Sequence, residues 1–165
     1  MSLERVLRHL VTTHWSARRR FPREVLAAIE REIRAVEAQH AGEIRFAVES
    51  ALDAPHLWRR TSPRERALQV FSQLRVWDTT ANNGVLIYLL LADRVVEIIA
   101  DRGVAARVSE EEWASVCREM EQEYRLGRFL EGSRVGVRRI GELLARHFPG
   151  ARGDANELPD PAVVL

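Results

Sequence analysis

Lysine is absent from this chain, so all 25 of its basic residues are arginine, set against 24 acids for a formal net charge of +1. That balance provides no global field to gather nucleic acid or anionic lipid, and no nucleic-acid partner is expected. Cysteine is nearly absent as well. The single Cys117 excludes an intramolecular disulfide and any cysteine-based metal cluster, and it suits a reducing compartment. No apolar run is long enough for a transmembrane segment; the longest, Gly84 to Leu91, has the length of a buried strand. Phosphate-binding glycine loops, a nucleophile elbow and paired-histidine metal motifs are all missing. The five histidines, His9, His14, His40, His56 and His147, are too dispersed for a local ligand motif and are expected mostly at the surface. The opening MSLERVLRHLVTTHW places Glu4, Arg5, Arg8 and His9 where a signal peptide needs an apolar centre, so the expected location is cytoplasmic.

What is present organises around residues 82–101, NNGVLIYLLLADRVVEIIAD. Val85 to Leu90 reads as a central strand buried on both faces, Asp93-Arg94 as a tight turn, and Val95 to Ala100 as the returning strand of a hairpin. Upstream, Val25, Leu26, Ile29, Ile33 and Val36 recur at helical spacing behind Pro22, and Gly42 is expected to close that helix in the left-handed conformation. From Glu43 to Glu49 the period changes to two, which predicts a half-covered strand at the side of the sheet. Leu52 to Arg60 reads as a loop carrying Trp58. Ser62-Pro63-Arg64-Glu65 is a capping box that opens a helix, with Ala67, Leu68, Val70, Phe71 and Leu74 as its buried stripe. A strand, a helix and the central strand make a crossover long enough for parallel pairing.

Ser109 and Glu112 cap a further helix that runs until Gly127, whose buried face includes Cys117 as a packed thiol. The last helix runs from about Leu130 to His147 by its apolar spacing, and Gly132 and Gly136 suggest that another backbone passes close. The fold class that follows is α/β: a single three-layer α/β/α sandwich with a small mixed sheet, in which a parallel crossover precedes a β-hairpin. Its division is an N-terminal amphipathic segment over 1–20, a domain over 21–148 and a disordered tail over 149–165. In the first segment, Leu3, Val6, Leu7, Leu10 and Val11 share one face ahead of Arg18, Arg19 and Arg20. Packing of that stripe on the domain is the preferred reading, with a membrane surface or a partner protein as the alternative.

Oxygen-bearing side chains concentrate at the turns that flank the hairpin. Asp78, Asn82, Asn83 and Asp101 are candidate ligands for a hard cation such as calcium or magnesium. Asp and Asn also populate turns for their own local hydrogen bonds, and that reading ranks ahead of metal binding. Arg102 and Trp58 are candidate contacts for an anion or a partner.

The segment Arg66 to Val108 carries AxxVF at Ala67 to Phe71, NNGVLIYLLL at Asn82 to Leu91, the Asp93-Arg94 turn and EIIADRGV at Glu97 to Val104. These motifs resemble the TPM domain family, which includes a thylakoid lumen protein described as an acid phosphatase, a photosystem II repair protein and an acetylcholine-receptor modulator. Within the family the chain looks most like a bacterial subgroup in which ADRG closes the hairpin. The resemblance implies an α/β/α sandwich and an accessory or interaction domain, linked in some relatives to the upkeep of membrane proteins. It offers a divalent-metal-dependent phosphatase as the alternative. An unidentified protein partner and peripheral attachment at the inner membrane face are options that follow from the first reading. The departures weigh against the second. Asn82 stands where many members have an acid, and Asp101-Arg102-Gly103 stands in place of Gly-Tyr-Gly, so a cation site here would have lost one negative charge, which Asp101 could restore.

Overall fold

The computed structural model describes residues 3–12, 14–150, 158 and 161–165. Two N-terminal helices, α1 (Leu3–Val11) and α2 (His14–Arg20), lead into α3 (Arg23–Glu37). Strand β1 (Glu43–Glu49) is followed by the short α4 (Ala54–Trp58), by α5 (Pro63–Gln73) and by the hairpin β2 (Gly84–Leu90) and β3 (Val95–Ala100). Then come α6 (Arg102–Ala105), α7 (Glu110–Arg125), α8 (Phe129–His147) and β4 (Val163–Val164). The sheet order is β3-β2-β1-β4. As the crossover length predicts, β1 and β2 are parallel, with Glu43 beside Gly84 and Glu49 beside Leu90. The hairpin is antiparallel, Val85 facing Ala100 and Leu90 facing Val95.

Side-chain alternation divides the core into two layers, which is the expected α/β/α sandwich. Ile44, Phe46, Val48, Val85, Ile87 and Leu89 turn toward α3, α7 and α8. Ala47, Leu86, Tyr88 and Leu90 turn toward α4 and α5, where Leu57, Ala67 and Val70 cover them. Each fully buried side chain of this size contributes about 1.5–3 kcal/mol, so the central hairpin supplies much of the driving force. Both capping boxes form: Ser62 accepts from the Glu65 N–H, and Ser109 from the Glu112 N–H, with each glutamate returning the bond. Gly127 ends α7 at φ 76°.

Several expectations need correction. All seven residues of β1 are buried, and the strand is interior because β4 pairs with Ala47 and Val48 on its other side. Its polar residues had suggested a solvent face; Glu49, at least, is satisfied from within the α5 layer. Gly42 is not left-handed, since Gly127 is the glycine with positive φ among the described residues. It is small because a Cβ there would lie 2.8 Å from Leu144. Gly132 and Gly136 face side chains rather than a backbone: a Cβ would meet the Tyr124 ring at 2.6 Å and the Met120 sulfur at 2.3 Å. Leu68 points outward from α5. The Leu52 to Arg60 stretch contains α4, capped by the Asp53 carboxylate on the His56 N–H. Of the five histidines, expected mostly at the surface, His9 and His40 are buried. The tail also supplies β4, whereas the remaining disorder expected there falls on residues 151–157, 159 and 160, which lie outside the described residues.

The largest correction concerns α1. Much of its apolar stripe turns away from the domain: Leu7, Leu10 and Val11 are 53%, 68% and 75% exposed, and Trp15 on α2 is 68% exposed. The helix is held by its polar side instead. Ala17 and Phe21 then anchor the segment in the core, the Phe21 ring lying 5.6 Å from that of Phe129 and 6.1 Å from that of Phe46.

Candidate functional site

The candidate cation ligands meet at the amino end of β2, but not all of them. A turn over Thr79 to Asn82 brings the Asn82 N–H to the Thr79 carbonyl at 3.2 Å and the Asn83 N–H to Thr79 Oγ1 at 3.1 Å. Asn82 takes φ 52°, which asparagine tolerates better than most residues. Asp101 lies beside this turn, its N–H donating to the Gly84 carbonyl at 2.8 Å. The two segments are clamped together. The Gly103 N–H donates to the Asn82 carbonyl at 3.0 Å, and a Cβ on Gly103 would lie 2.5 Å from that same oxygen. A Cβ on Gly84 would lie 2.0 Å from the Val76 carbonyl, which gives the Asn-Gly-Val pattern its steric reason.

Most of the donors and acceptors here are already used. Arg102 Nε donates to Asn82 Oδ1 at 2.8 Å, so a guanidinium occupies the oxygen at which a cation would bind. Asp101 Oδ1 accepts from the Arg102 N–H at 2.7 Å and caps α6. Asn83 Nδ2 donates to the Ala41 carbonyl. Two buried oxygens, Asn83 Oδ1 and Asp101 Oδ2, have no hydrogen-bond partner among the described residues. Asp78 stands apart on the exposed turn after α5, its N–H bonded to the Arg75 carbonyl at 2.9 Å. One carboxylate and one amide oxygen fall short of the six to eight oxygens calcium takes. Among the described residues no three His, Cys, Asp or Glu side chains gather as a metal-binding group. Trp58, 85% exposed on α4, lies at the opposite end of the sheet from Arg102. The two contact candidates therefore do not form one surface.

At the carboxyl end of the parallel strands, where open α/β sheets usually bind ligands, the structure assembles ionic groups that residue spacing does not reveal. Arg66 Nε donates to Glu49 Oε2 at 2.9 Å and its Nη2 to Oε1 at 3.1 Å, a bidentate pair buried under α5. The Tyr88 hydroxyl also reaches Glu49 Oε2. Burial, reinforced by the Glu49 charge, raises the Tyr88 pKa well above the usual tyrosine range. Arg66 also bonds Gln69 Oε1 at 3.2 Å, and Gln69 Oε1 accepts from His56 Nε2 at 2.9 Å. The Asp53 carboxyl is held below its ordinary value by the His56 backbone N–H and then by the His56 ring.

A second cluster fastens α1. Asp93 accepts from Arg5 Nη2 at 2.8 Å and from His9 Nε2 at 3.1 Å, while Arg5 reaches the Thr61 carbonyl at 3.0 Å. The Leu52 N–H donates to His9 Nδ1 at 2.9 Å, which places the ring proton on Nε2 toward Asp93. Burial alone would raise the Asp93 pKa, but the hydrogen bonds from Arg5 and His9 outweigh it and the net shift is downward. A sequence signal for these networks did exist: Glu49 ends a buried strand and Arg66 sits on the inward side of α5. Cys117 packs against the core as expected, its thiol pushed up to about 12 by burial and then by Glu97 and Glu121.

Fold and site together define a small mixed-sheet α/β sandwich with a clamped turn at one end of its sheet and an ionic network at the other. Comparison supplies the particular family. A model of the TPM domain matches residues 19–143, and the chain belongs to that family, in agreement with the motifs from Ala67 to Val104. The chain is similar to the BA42 protein of the psychrophilic bacterium Bizionia argentinensis, solved by NMR, with 30% identity and a TM-score of 0.76 over 86% of this chain and 93% of that one. The N-terminal domain of a P. gingivalis protein, also solved by NMR, shares the fold at 22% identity and a TM-score of 0.55, covering 73% of this chain and 75% of that one. None of the curated proteins compared matches the chain.

Proposed function

We propose that this protein is a non-catalytic accessory domain of the TPM family that docks on an anionic membrane surface through the outer side of α1 and α2. One observation carries the reading: an amphipathic helix fixed to the domain by Arg5 and His9 turns Leu7, Leu10, Val11 and the neighbouring Trp15 to solvent. A helix anchored by its polar side has its apolar side free for another surface. Arg18, Arg19 and Arg20 follow on α2, exposed, and an apolar stripe next to clustered arginine is the composition of an interfacial helix. Among the described residues no helix is long and apolar enough to cross a membrane, so contact of this kind is peripheral. A position at the inner face of the membrane fits the reading, as does upkeep of membrane proteins.

The test is co-sedimentation with vesicles of phosphatidylcholine alone or mixed with phosphatidylglycerol. Substitution serves better than truncation, because deleting residues 1–20 would also remove Ala17 from the core. Leu10→Glu with Val11→Glu should lower partition into the anionic vesicles roughly ten-fold or more while leaving the amide spectrum dispersed. Equal sedimentation of the wild type with no vesicles, or of the doubly substituted protein with anionic ones, would exclude this surface.

The unpartnered Asn83 Oδ1 and Asp101 Oδ2 favour a second reading, a weak divalent-cation site of the kind a metal-dependent phosphatase needs. Asn83 and Asp101 would hold the ion, Asn82 after release from Arg102. A calcium titration followed by amide NMR tests it: saturable shifts at Asn83 and Asp101, lost in Asp101→Asn, are expected. An unchanged spectrum at millimolar calcium rejects it.

A further inference from the structure

On the α7 and α8 side of the sheet, where β2 ends, a cleft of ≈ 470 Å³ opens between the hairpin turn, the end of α7 and the start of α8. Its size falls within the range of small-molecule sites. Leu89, Leu91 and Phe129 form the apolar part, and Arg20, Arg94 and Arg125 supply cations from different segments of the chain. Tyr124 adds only its ring, because its hydroxyl is engaged by Ser133 at 2.9 Å.

The charge in this cleft is not balanced. Glu121, its one acid, is bonded to Arg125 at 3.2 Å and accepts from the Val96 N–H at 3.4 Å. Neither Arg20 nor Arg94 has a carboxylate partner among the described residues; Arg20 lies over the Phe129 ring at 5.6 Å and leaves its donors free. Through Arg20, Gly127 and Phe129 the cleft continues into an open trough of ≈ 640 Å³ that ends at Trp15. Apolar walls thus join an exposed tryptophan to the Arg20 and Arg94 guanidinium groups, which have no carboxylate partner among the described residues.

We infer that this cleft binds a single-chain anionic amphiphile, with its alkyl chain along Leu89, Leu91 and Phe129 and its carboxylate or phosphate head between Arg20 and Arg94. Guanidinium donors match either head group, and the apolar wall supplies what a free inorganic anion could not use. This site shares Arg20 with the surface proposed on α1 and α2, and differs from it in taking monomers from solution.

The experiment is a titration of the full chain with decyl phosphate below its micelle concentration, read by amide NMR and Trp fluorescence, beside decanol and inorganic phosphate. Saturable shifts at residues 89–94 and 121–129 are expected with decyl phosphate. Each comparator, lacking head or chain, should bind at least about ten-fold more weakly. Arg94 has φ 56°, a conformation glycine adopts without strain, so Arg94→Gly removes the guanidinium while keeping the turn. It should weaken binding roughly five-fold. Arg75→Gly, also at positive φ but at the end of α5, is the matched control and should leave affinity unchanged. Equal binding of decanol, equal binding of inorganic phosphate, no saturable shift, or an affinity untouched by Arg94→Gly would each overturn the assignment. Leu10 and Val11 do not line the cleft and Arg94 lies outside α1 and α2, so the failure of either experiment is distinguishable from the failure of the other.

Discussion

The two ends of the sheet solve the same problem in opposite ways. At the amino end of β2, polar side chains spend half of their hydrogen bonds on their own turns, Thr79 on Asn83 and Asp101 on Arg102, before Asn82 and Asn83 reach more distant partners. At the carboxyl end, the partners come from far apart. Arg5 and Asp93 are separated by 88 residues, Tyr88 and Glu49 by 39, and they meet only because the strands and α1 are already in place. A cluster of Asp and Asn in a sequence is therefore weaker evidence of a site than one acid inside an otherwise apolar strand. The first kind of residue has local work available, and the second cannot be buried without a partner.

Substitutions at the two ends should separate them by size of effect. Glu49→Ala strands the Arg66 guanidinium and the Tyr88 hydroxyl under α5, and should cost about 3–5 kcal/mol. The urea midpoint should drop with little change in slope. A loss below about 1 kcal/mol would mean that water replaces the carboxylate, and the carboxyl end would be no more committed than the amino end.

The Asp93 cluster comes next. Its folded pKa lies below the ordinary 3.8, so its contribution is complete above that value and is lost as pH falls through the lower folded one. Amide protection in α1 should fall in that acid range before the central strands respond. Asp93→Asn should remove roughly 2–3 kcal/mol at neutral pH and abolish the acid step. An α1 that stays protected in acid would show that Ala17 and Phe21 hold the segment without the ionic latch.

The smallest effect belongs to the clamped turn. Arg102→Ala breaks one exposed hydrogen bond to Asn82 and should change stability by no more than about 0.5 kcal/mol, measured by the same urea transition. A larger loss would place the amino end among the structural networks as well.

Much of the architecture was legible from residue patterns because local physics writes it. The Ser62 and Ser109 capping boxes, the apolar run of β2 and the spacing along α3, α7 and α8 each state a local preference that the fold keeps. Polar residues misled where their partners were distant. Alternation in β1 signals a wet face only when no helix brings a counter-charge, and Arg66 brings one to Glu49. The stripe on α1 was recognised, but not its direction. A helical period shows that apolar residues share a side, while the choice of side rests here on Asp93 in a distant turn. The candidate site divided in the same manner: Asn82, Asn83, Asp101 and Arg102 come together because the hairpin returns on itself, while Asp78 stays on the exposed turn bonded to Arg75.

By itself, then, the chain's order of residues determined the longer helices, the parallel crossover with its hairpin and the packing of Cys117, since periodicity and caps are local or nearly so. Tertiary structure alone decided which way α1 faces, that β1 lies inside the sheet, and that Arg20 and Arg94 come to line one cleft with an apolar wall. Those outcomes depend on charges and strands brought together from opposite ends of the chain, and no spacing rule carries that information.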